Sequence, residues 1–133
     1  MGDRTVNWLV YTCLVGLIPV IARLALWAVS VTDVEPLAIS DLVAFGLVLH
    51  SANINEVSRL KAADSRWISV QNGLSILFLI LYGLILFTTI LPTDKLDSEA
   101  LLFSTIGLAI VSFVLSLTVL HRLQAMDRTN ASG

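Results

Sequence analysis

Two charged residues, Arg23 and Asp41, lie inside otherwise apolar stretches of this 133-residue sequence. A charge in hydrocarbon is costly unless it is paired or hydrated, so each is expected to have a partner. If the two stretches form antiparallel neighbouring helices, Arg23 lies about 12 Å and Asp41 about 7 Å from the same end. Arginine is long enough to cover that difference, so we predict an ion pair. Two alternatives stay open: Arg23 extends alone to the headgroups, or copies of Arg23 from several subunits line a pore.

Pro19 precedes Arg23 by about one helical turn and shares a stripe with Thr12, Gly16 and Ser30. Proline predicts a kink in the helix, and glycine permits the close approach of a neighbouring helix. The stripe is typical of an ordinary packing face. The position of Pro19 beside Arg23 also keeps a hinge or gate open as an alternative.

A polar cluster follows in the second apolar segment, with His50, Asn53, Asn55 and Glu56 near its inner end and His121 at the same level of the last segment. A metal site needs three or four convergent ligands. Two histidines without a suitable cysteine do not supply them, so we predict no metal and no cofactor. The cluster is expected to form hydrogen bonds across the bundle.

The sequence contains no nucleophile–base arrangement, Gly-rich phosphate loop or paired acidic residues. The serines and threonines of the apolar segments have no histidine at a matching depth, because both histidines lie near the inner edge. We therefore predict that the protein is not an enzyme. Cys13 is the single cysteine, which excludes a disulfide within the chain.

Four apolar segments must position these residues, and they predict helices at about residues 6–31, 37–57, 67–92 and 99–122. Hydrophobic residues make up 56% of the chain and charged residues 14%, whereas soluble domains carry about 25% charged residues. A bilayer core of roughly 30 Å is crossed by about 20 helical residues. The sequence predicts one domain, residues 1–133, of the all-α class: an integral membrane protein folded as a four-transmembrane-helix bundle.

The second segment is the least apolar of the four, because its clean apolar stretch covers only Leu42–Leu49. A spanning helix, a re-entrant segment and a helix on the membrane surface are all compatible with that length. Pro36 suits a helix start, and the distribution of lysine and arginine requires an odd number of crossings here. We therefore predict a spanning helix whose polar residues face other helices rather than lipid.

Lysine and arginine predict the orientation, since they accumulate on the cytoplasmic side of a membrane protein. The termini and the middle connection carry six basic residues: Arg4, Arg59, Lys61, Arg66, Arg122 and Arg128. The other two connections carry only Lys95. We predict that the N- and C-termini are cytoplasmic and that Arg59, Lys61, Arg66, Arg122 and Arg128 form the surface for a protein partner.

The last segment also carries a ridge of small residues at four-residue spacing: Ala100, Ser104, Ser112 and Ser116. Small residues at this spacing let helix backbones approach each other in membranes. The ridge predicts a packing seam, either within one chain or between copies of it.

The run Gly16–Pro19 leading to Arg23, and the segment from Ile39–Leu42 to Asn53–Glu56, are similar to KwaA, the membrane subunit of the Kiwa anti-phage defence system. The resemblance covers the four-helix layout of the whole chain. It implies a multi-pass, homo-oligomeric protein of the bacterial inner membrane, expected as a tetramer, that senses phage attachment. It further implies KwaB, a cytosolic DNA-binding partner that blocks phage replication and late transcription, while this chain itself contacts no nucleic acid.

Two functions therefore follow as expectations. The first is a membrane sensor or anchor subunit that signals to a cytosolic partner, in phage defence by resemblance. The alternative is a homo-oligomeric channel or pore built around the first two helices. Arg23, Asp41 and Pro19 are the residues that support it.

Overall fold

A computed structural model of the chain describes the backbone of residues 3–58, 65–91 and 96–131, and the side chains in these ranges except those of residues 3–6, 9, 127, 130 and 131. Four helices occupy these ranges: α1 (Asp3–Val29), α2 (Ile39–Ser58), α3 (Ser65–Thr88) and α4 (Ser98–Ala131). The described ranges contain no strand. The prediction of an all-α chain with four helices is confirmed.

Two helices have starts set by local hydrogen bonds. The amides of Asp41 and Leu42 both donate to the carbonyl of Ala38, so α2 begins at Ile39 rather than at the predicted residue 37. The carboxylate of Asp97 accepts from the amides of Glu99 and Ala100 at 3.1 Å each, as an N-cap does for α4.

The other bounds also differ from the predicted ones. Helix α4 continues to Ala131 instead of ending near 122, because strong helix formers follow and no proline or glycine interrupts them. Helix α3 ends at Thr88 instead of 92. There the hydroxyls of Thr88 and Thr89 donate to the carbonyls of Ile85 and Leu86 at 2.6 Å, which competes with backbone hydrogen bonding. Helix α1 runs over Asp3–Val29 rather than 6–31.

Helix α2 is the centre of the bundle. It packs against α1, α3 and α4, whereas α3 and α4 meet only slightly. Its buried residues are Val43, Phe45, Gly46, Leu49, His50, Asn53 and Val57. The least apolar segment of the sequence is therefore surrounded by the other three helices, where its polar groups can find partners.

The contacts of α2 define the direction of every neighbour. They are Gly16–Phe45 and Arg23–Asp41 with α1, Gly46–Tyr82 and His50–Phe78 with α3, and His50–Ser112 and Asn53–Ser116 with α4. Along the pairs with α1 and with α3, residue numbers rise on one helix as they fall on the other. Along the pairs with α4, residue numbers rise on both helices. Helix α2 is thus antiparallel to α1 and α3 and parallel to α4.

Three helical stretches are long and apolar enough to cross a membrane by length and composition: Val10–Val29, Ser65–Thr88 and Ser98–Met126. Many large apolar side chains on the outward faces of these helices are exposed, among them Ile18, Leu84 and Phe103. Such a surface is typical of a protein surrounded by lipid. These features agree with a membrane protein that contains transmembrane helices.

Candidate functional site

Arg23 and Asp41 form an ion pair in which the Nε–H of Arg23 donates to Oδ2 of Asp41. The Asp41 side chain is 12% exposed and that of Arg23 is 31% exposed. Asp41 lies in the first turn of α2, where the helix dipole also favours a negative charge. The structure thus brings together the two charges that the sequence singled out, and Arg23 points at α2 instead of extending alone.

Pro19 lies within α1, which continues as one helix on both sides of it. Of the stripe described for this helix, Thr12 and Gly16 are buried. A Cβ atom on Gly16 would lie 2.9 Å from Cδ2 of Phe45, so the absence of a side chain there allows α2 to approach. These contacts are those of a packing face, and the hinge or gate at Pro19 stays a prediction.

Ser112 of α4 is the meeting point of three helices. Its Oγ lies 3.0 Å from Nε2 of His50 on α2 and 2.9 Å from the hydroxyl oxygen of Tyr82 on α3. The same hydroxyl donates to the carbonyl of Leu108 at 2.8 Å. Because a serine hydroxyl has only one hydrogen, Ser112 accepts from the Tyr82 O–H and from the His50 Nε2–H. This assignment places the neutral imidazole proton on Nε2.

A second hydrogen bond lies one turn along the bundle, where Nδ2 of Asn53 donates to Oγ of Ser116 at 2.8 Å. We call His50, Asn53, Tyr82, Ser112 and Ser116 the buried polar network. Each of the five is at most 1% exposed. A hydrogen bond in such surroundings is strengthened by the low local dielectric, and an unmet polar group is correspondingly costly. The network therefore ties α2, α3 and α4 together at one rotation and one register.

Aromatic rings enclose the network on its α3 side. The Phe78 ring stacks on the His50 imidazole with 4.7 Å between ring centroids. The Tyr82 ring occupies space that only a glycine at position 46 leaves open, since a Cβ atom there would lie 2.0 Å from Cζ of Tyr82. Gly46 is therefore required for Tyr82 to reach Ser112.

The structure divides the predicted polar cluster. His50 and Asn53 lie inside the bundle, whereas Asn55 and His121 are exposed and Glu56 is half-buried. Successive residues of an α-helix are about 100° apart, so Asn55 lies on nearly the opposite side of α2 from Asn53. Its carbonyl accepts a local hydrogen bond from the Ser58 hydroxyl at 3.0 Å. His50 and Asn53 therefore bond with the α4 serines, one of which also bonds with Tyr82, and not with Asn55 or His121.

The expectation that no membrane serine has a histidine partner is wrong, because His50 and Ser112 are hydrogen-bonded. The pair lacks the arrangement of a nucleophile and its base. The Ser112 hydrogen is directed to a backbone carbonyl, and Nδ1 of His50 has no hydrogen-bond partner among the described residues to orient the ring. Nor do the described residues include a group of three or more histidine, cysteine or acidic side chains that could hold a metal ion.

Only part of the small-residue ridge of α4 is buried in the bundle. Ser112 and Ser116 are buried against α2, while Ala100 and Ser104 are exposed. A step of four residues turns about 40° further than one full turn of an α-helix, so a ridge at this spacing winds around the helix. Thr105, which the spacing did not include, is fully buried. The signal that would have identified Tyr82 is its hydroxyl, which is the one polar side-chain group in the run Ile76–Phe87 of α3.

The predicted basic surface is described only in part. Arg59 and Lys61 lie outside the described residues, as does the side chain of Arg4. Arg66 and Arg128 are exposed, at the start of α3 and near the end of α4. The guanidinium carbon of Arg122 lies 4.7 Å from the centroid of the Trp67 ring, a cation–π contact that joins α4 to the start of α3.

Replacing Ser112 with alanine tests the central role of that residue. The Tyr82 and His50 donors would both lose their acceptor in a buried environment, and each unmet group costs about 1–3 kcal/mol. We expect a loss of about 2 kcal/mol or more in unfolding free energy, measured by thermal or denaturant unfolding in detergent. Ser104→Ala is the matched control, since Ser104 is exposed and, among the described residues, bonds only to the Ala100 carbonyl of its own helix. Equal stability of the two variants would contradict the network.

Comparison with protein-family models, with curated proteins and with solved structures found no match for this chain. The resemblance to the Kiwa membrane subunit therefore stays a prediction.

Proposed function

We propose that the chain crosses the membrane four times, with both termini in the cytoplasm. Helix α2 has 20 residues, which corresponds to about 30 Å at 1.5 Å per residue and matches a bilayer core. Its contacts extend from Asp41 near one end to Val57 near the other. A helix packed along its length between three apolar helices shares their depth. The basic residues at the termini support the orientation.

Cysteine labelling tests this topology. In a Cys13→Ser background, single cysteines replace the exposed residues Val31, before α2, and Ser65, after it. We expect a membrane-impermeant maleimide to label Val31→Cys in intact spheroplasts and Ser65→Cys only after permeabilisation. Labelling of both positions in intact spheroplasts would contradict a spanning α2.

We propose further that the protein is a sensor or anchor subunit that acts through a cytosolic partner. The observation that carries this proposal is the double attachment of α2: the ion pair with α1 near one end, and the buried polar network with α3 and α4 towards the other. A displacement of α1 at the outer end would be transmitted by α2 to the inner end. The pairing of Arg23 within one chain gives no support to a ring of arginines around a pore.

Three further parts of the proposal rest on the resemblance to the Kiwa membrane subunit alone. They are a role in phage defence, assembly as an inner-membrane homo-oligomer and a KwaB-like partner. The surface for the partner in this proposal is the cytoplasmic end, where Arg66 and Arg128 are exposed. Arginine is suited to bidentate contacts with acidic side chains of a protein partner. We therefore expect the partner to present an acidic surface there.

Co-purification from detergent extracts of the native host tests the proposal. We expect a cytosolic protein to follow the tagged chain, and the double substitution Arg66→Glu and Arg128→Glu to reduce its recovery at least tenfold. Asp33→Lys with Glu35→Lys is the matched control, because these exposed acids change charge at the opposite end of the bundle. Absence of any cytosolic partner, or equal losses in both variants, would count against the proposal.

A further inference from the structure

An apolar groove runs along the side of the bundle between α1 and α4, and α2 forms its floor. Its volume is about 350 Å³, and only apolar side chains line it. They include Leu17 and Val20 of α1, Leu42 and Phe45 of α2, and Ala109 and Phe113 of α4. The two flanking helices, α1 and α4, each pack against α2 but make few contacts with each other. The groove therefore faces outward, towards whatever surrounds the bundle.

One end of this groove lies beside the ion pair. Val20 precedes Arg23 by three residues on α1, and Leu42 directly follows Asp41 on α2. The pair uses Nε of Arg23, while a guanidinium has further N–H donors and about a third of this side chain is exposed (31%). An apolar groove that ends at an exposed cationic donor is complementary to a ligand with an anionic head and an aliphatic chain.

The lining of the groove favours an aliphatic chain, because every side chain along it is apolar and the groove faces outward. A flexible hydrocarbon chain is narrow enough to lie along it. Arginine is also well suited to phosphate, because its planar fork can donate two parallel hydrogen bonds.

We propose that the groove binds a glycerophospholipid, with one acyl chain between α1 and α4 and the phosphate against the guanidinium of Arg23. Asp41 holds the arginine at the mouth of the groove by binding Nε and leaves the terminal nitrogens for the phosphate. The lipid would thereby cover apolar surface on Ile110, which is exposed, and on the half-buried Phe113. This site goes beyond the proposed signalling function, and lipid retention requires neither a cytosolic partner nor four crossings.

Native mass spectrometry of the intact chain in detergent tests the site. The probes are dioleoylphosphatidylglycerol and dioleoylglycerol, which share their acyl chains and differ in the phosphate-containing headgroup. We expect one phospholipid retained per chain, bound at least tenfold more tightly than dioleoylglycerol. Equal retention of the two probes by the wild-type chain would overturn the assignment of the phosphate to Arg23.

Matched variants on α4 locate the bound chain. Ile106 lines the groove, whereas Val111 is exposed and does not line it. Ile106→Trp is expected to weaken phospholipid binding at least tenfold, and Val111→Trp to leave it unchanged, with helicity checked by circular dichroism for both. Equal effects of the two variants would overturn the groove as the site. A dimer that is lost in Ile106→Trp, without loss of lipid, would identify a second copy of the chain as the occupant and overturn the lipid proposal.

Discussion

Replacing Gly46 with alanine is expected to lower the unfolding free energy by about 3 kcal/mol, at the upper end of the usual cost of overpacking a core. The added Cβ atom would lie 2.0 Å from Cζ, 2.2 Å from Cε2 and 2.5 Å from the hydroxyl oxygen of Tyr82. Tyr82 is fully buried and bound to Ser112, so its ring can retreat only by breaking the hydrogen bond and displacing its neighbours. Thermal unfolding in detergent, followed by circular dichroism, measures the loss.

Gly83→Ala and Gly107→Ala are matched controls for this substitution, because a Cβ atom at either position meets no described atom within 4 Å beyond its chain neighbours and the backbone of its own helix. Each is expected to leave the stability unchanged or to raise it by up to about 1 kcal/mol, since alanine has a higher helix propensity than glycine. Gly46→Ala combined with Tyr82→Phe should not recover the loss, because phenylalanine keeps the two ring carbons that clash. A Gly46→Ala protein as stable as the controls would show that Tyr82 does not occupy this position.

Removing one partner of the Arg23–Asp41 pair is expected to be the second large effect. Stranding a buried charge typically costs about 3–5 kcal/mol. Arg23→Ala strands Asp41, and Asp41→Ala strands Arg23. Because both side chains are partly exposed, we expect each variant to lose about 2 kcal/mol of unfolding free energy. The double variant should lose less than the sum of the two single losses, because it strands no charge. Unfolding in detergent of all four proteins gives the coupling energy.

Asp33→Ala is the control for the loss of an acidic residue, because Asp33 is exposed in the connection between α1 and α2. It is expected to change stability by less than about 0.5 kcal/mol, as surface substitutions usually do. Additive losses in the double variant would mean that Arg23 and Asp41 act independently. In that case the coupling of α1 to α2, on which the signalling proposal depends, would have to be abandoned.

The number and type of the helices were predictable from the sequence because hydropathy is a local property. Segments such as Ser65–Thr88 are mostly apolar and carry no charge after Arg66, and no arrangement of the other helices changes that. The approach of Arg23 to Asp41 was predictable for a related reason. A short connection makes α1 and α2 antiparallel neighbours, and two isolated charges at similar depth then have each other as the nearest partner. Their depths follow from counting residues along each helix.

The partners of His50 and Asn53 were not predictable in this way. Several serines of α4 have equivalent spacing, and only the rotation and register of that helix against α2 decide that Ser112 and Ser116 face inward while Ser104 faces outward. The sequence by itself determined which elements form and which charges need a partner. The tertiary structure alone decided that Gly46 makes room for Tyr82, because a contact between two helices depends on the angle and distance between them, which neither segment encodes by itself.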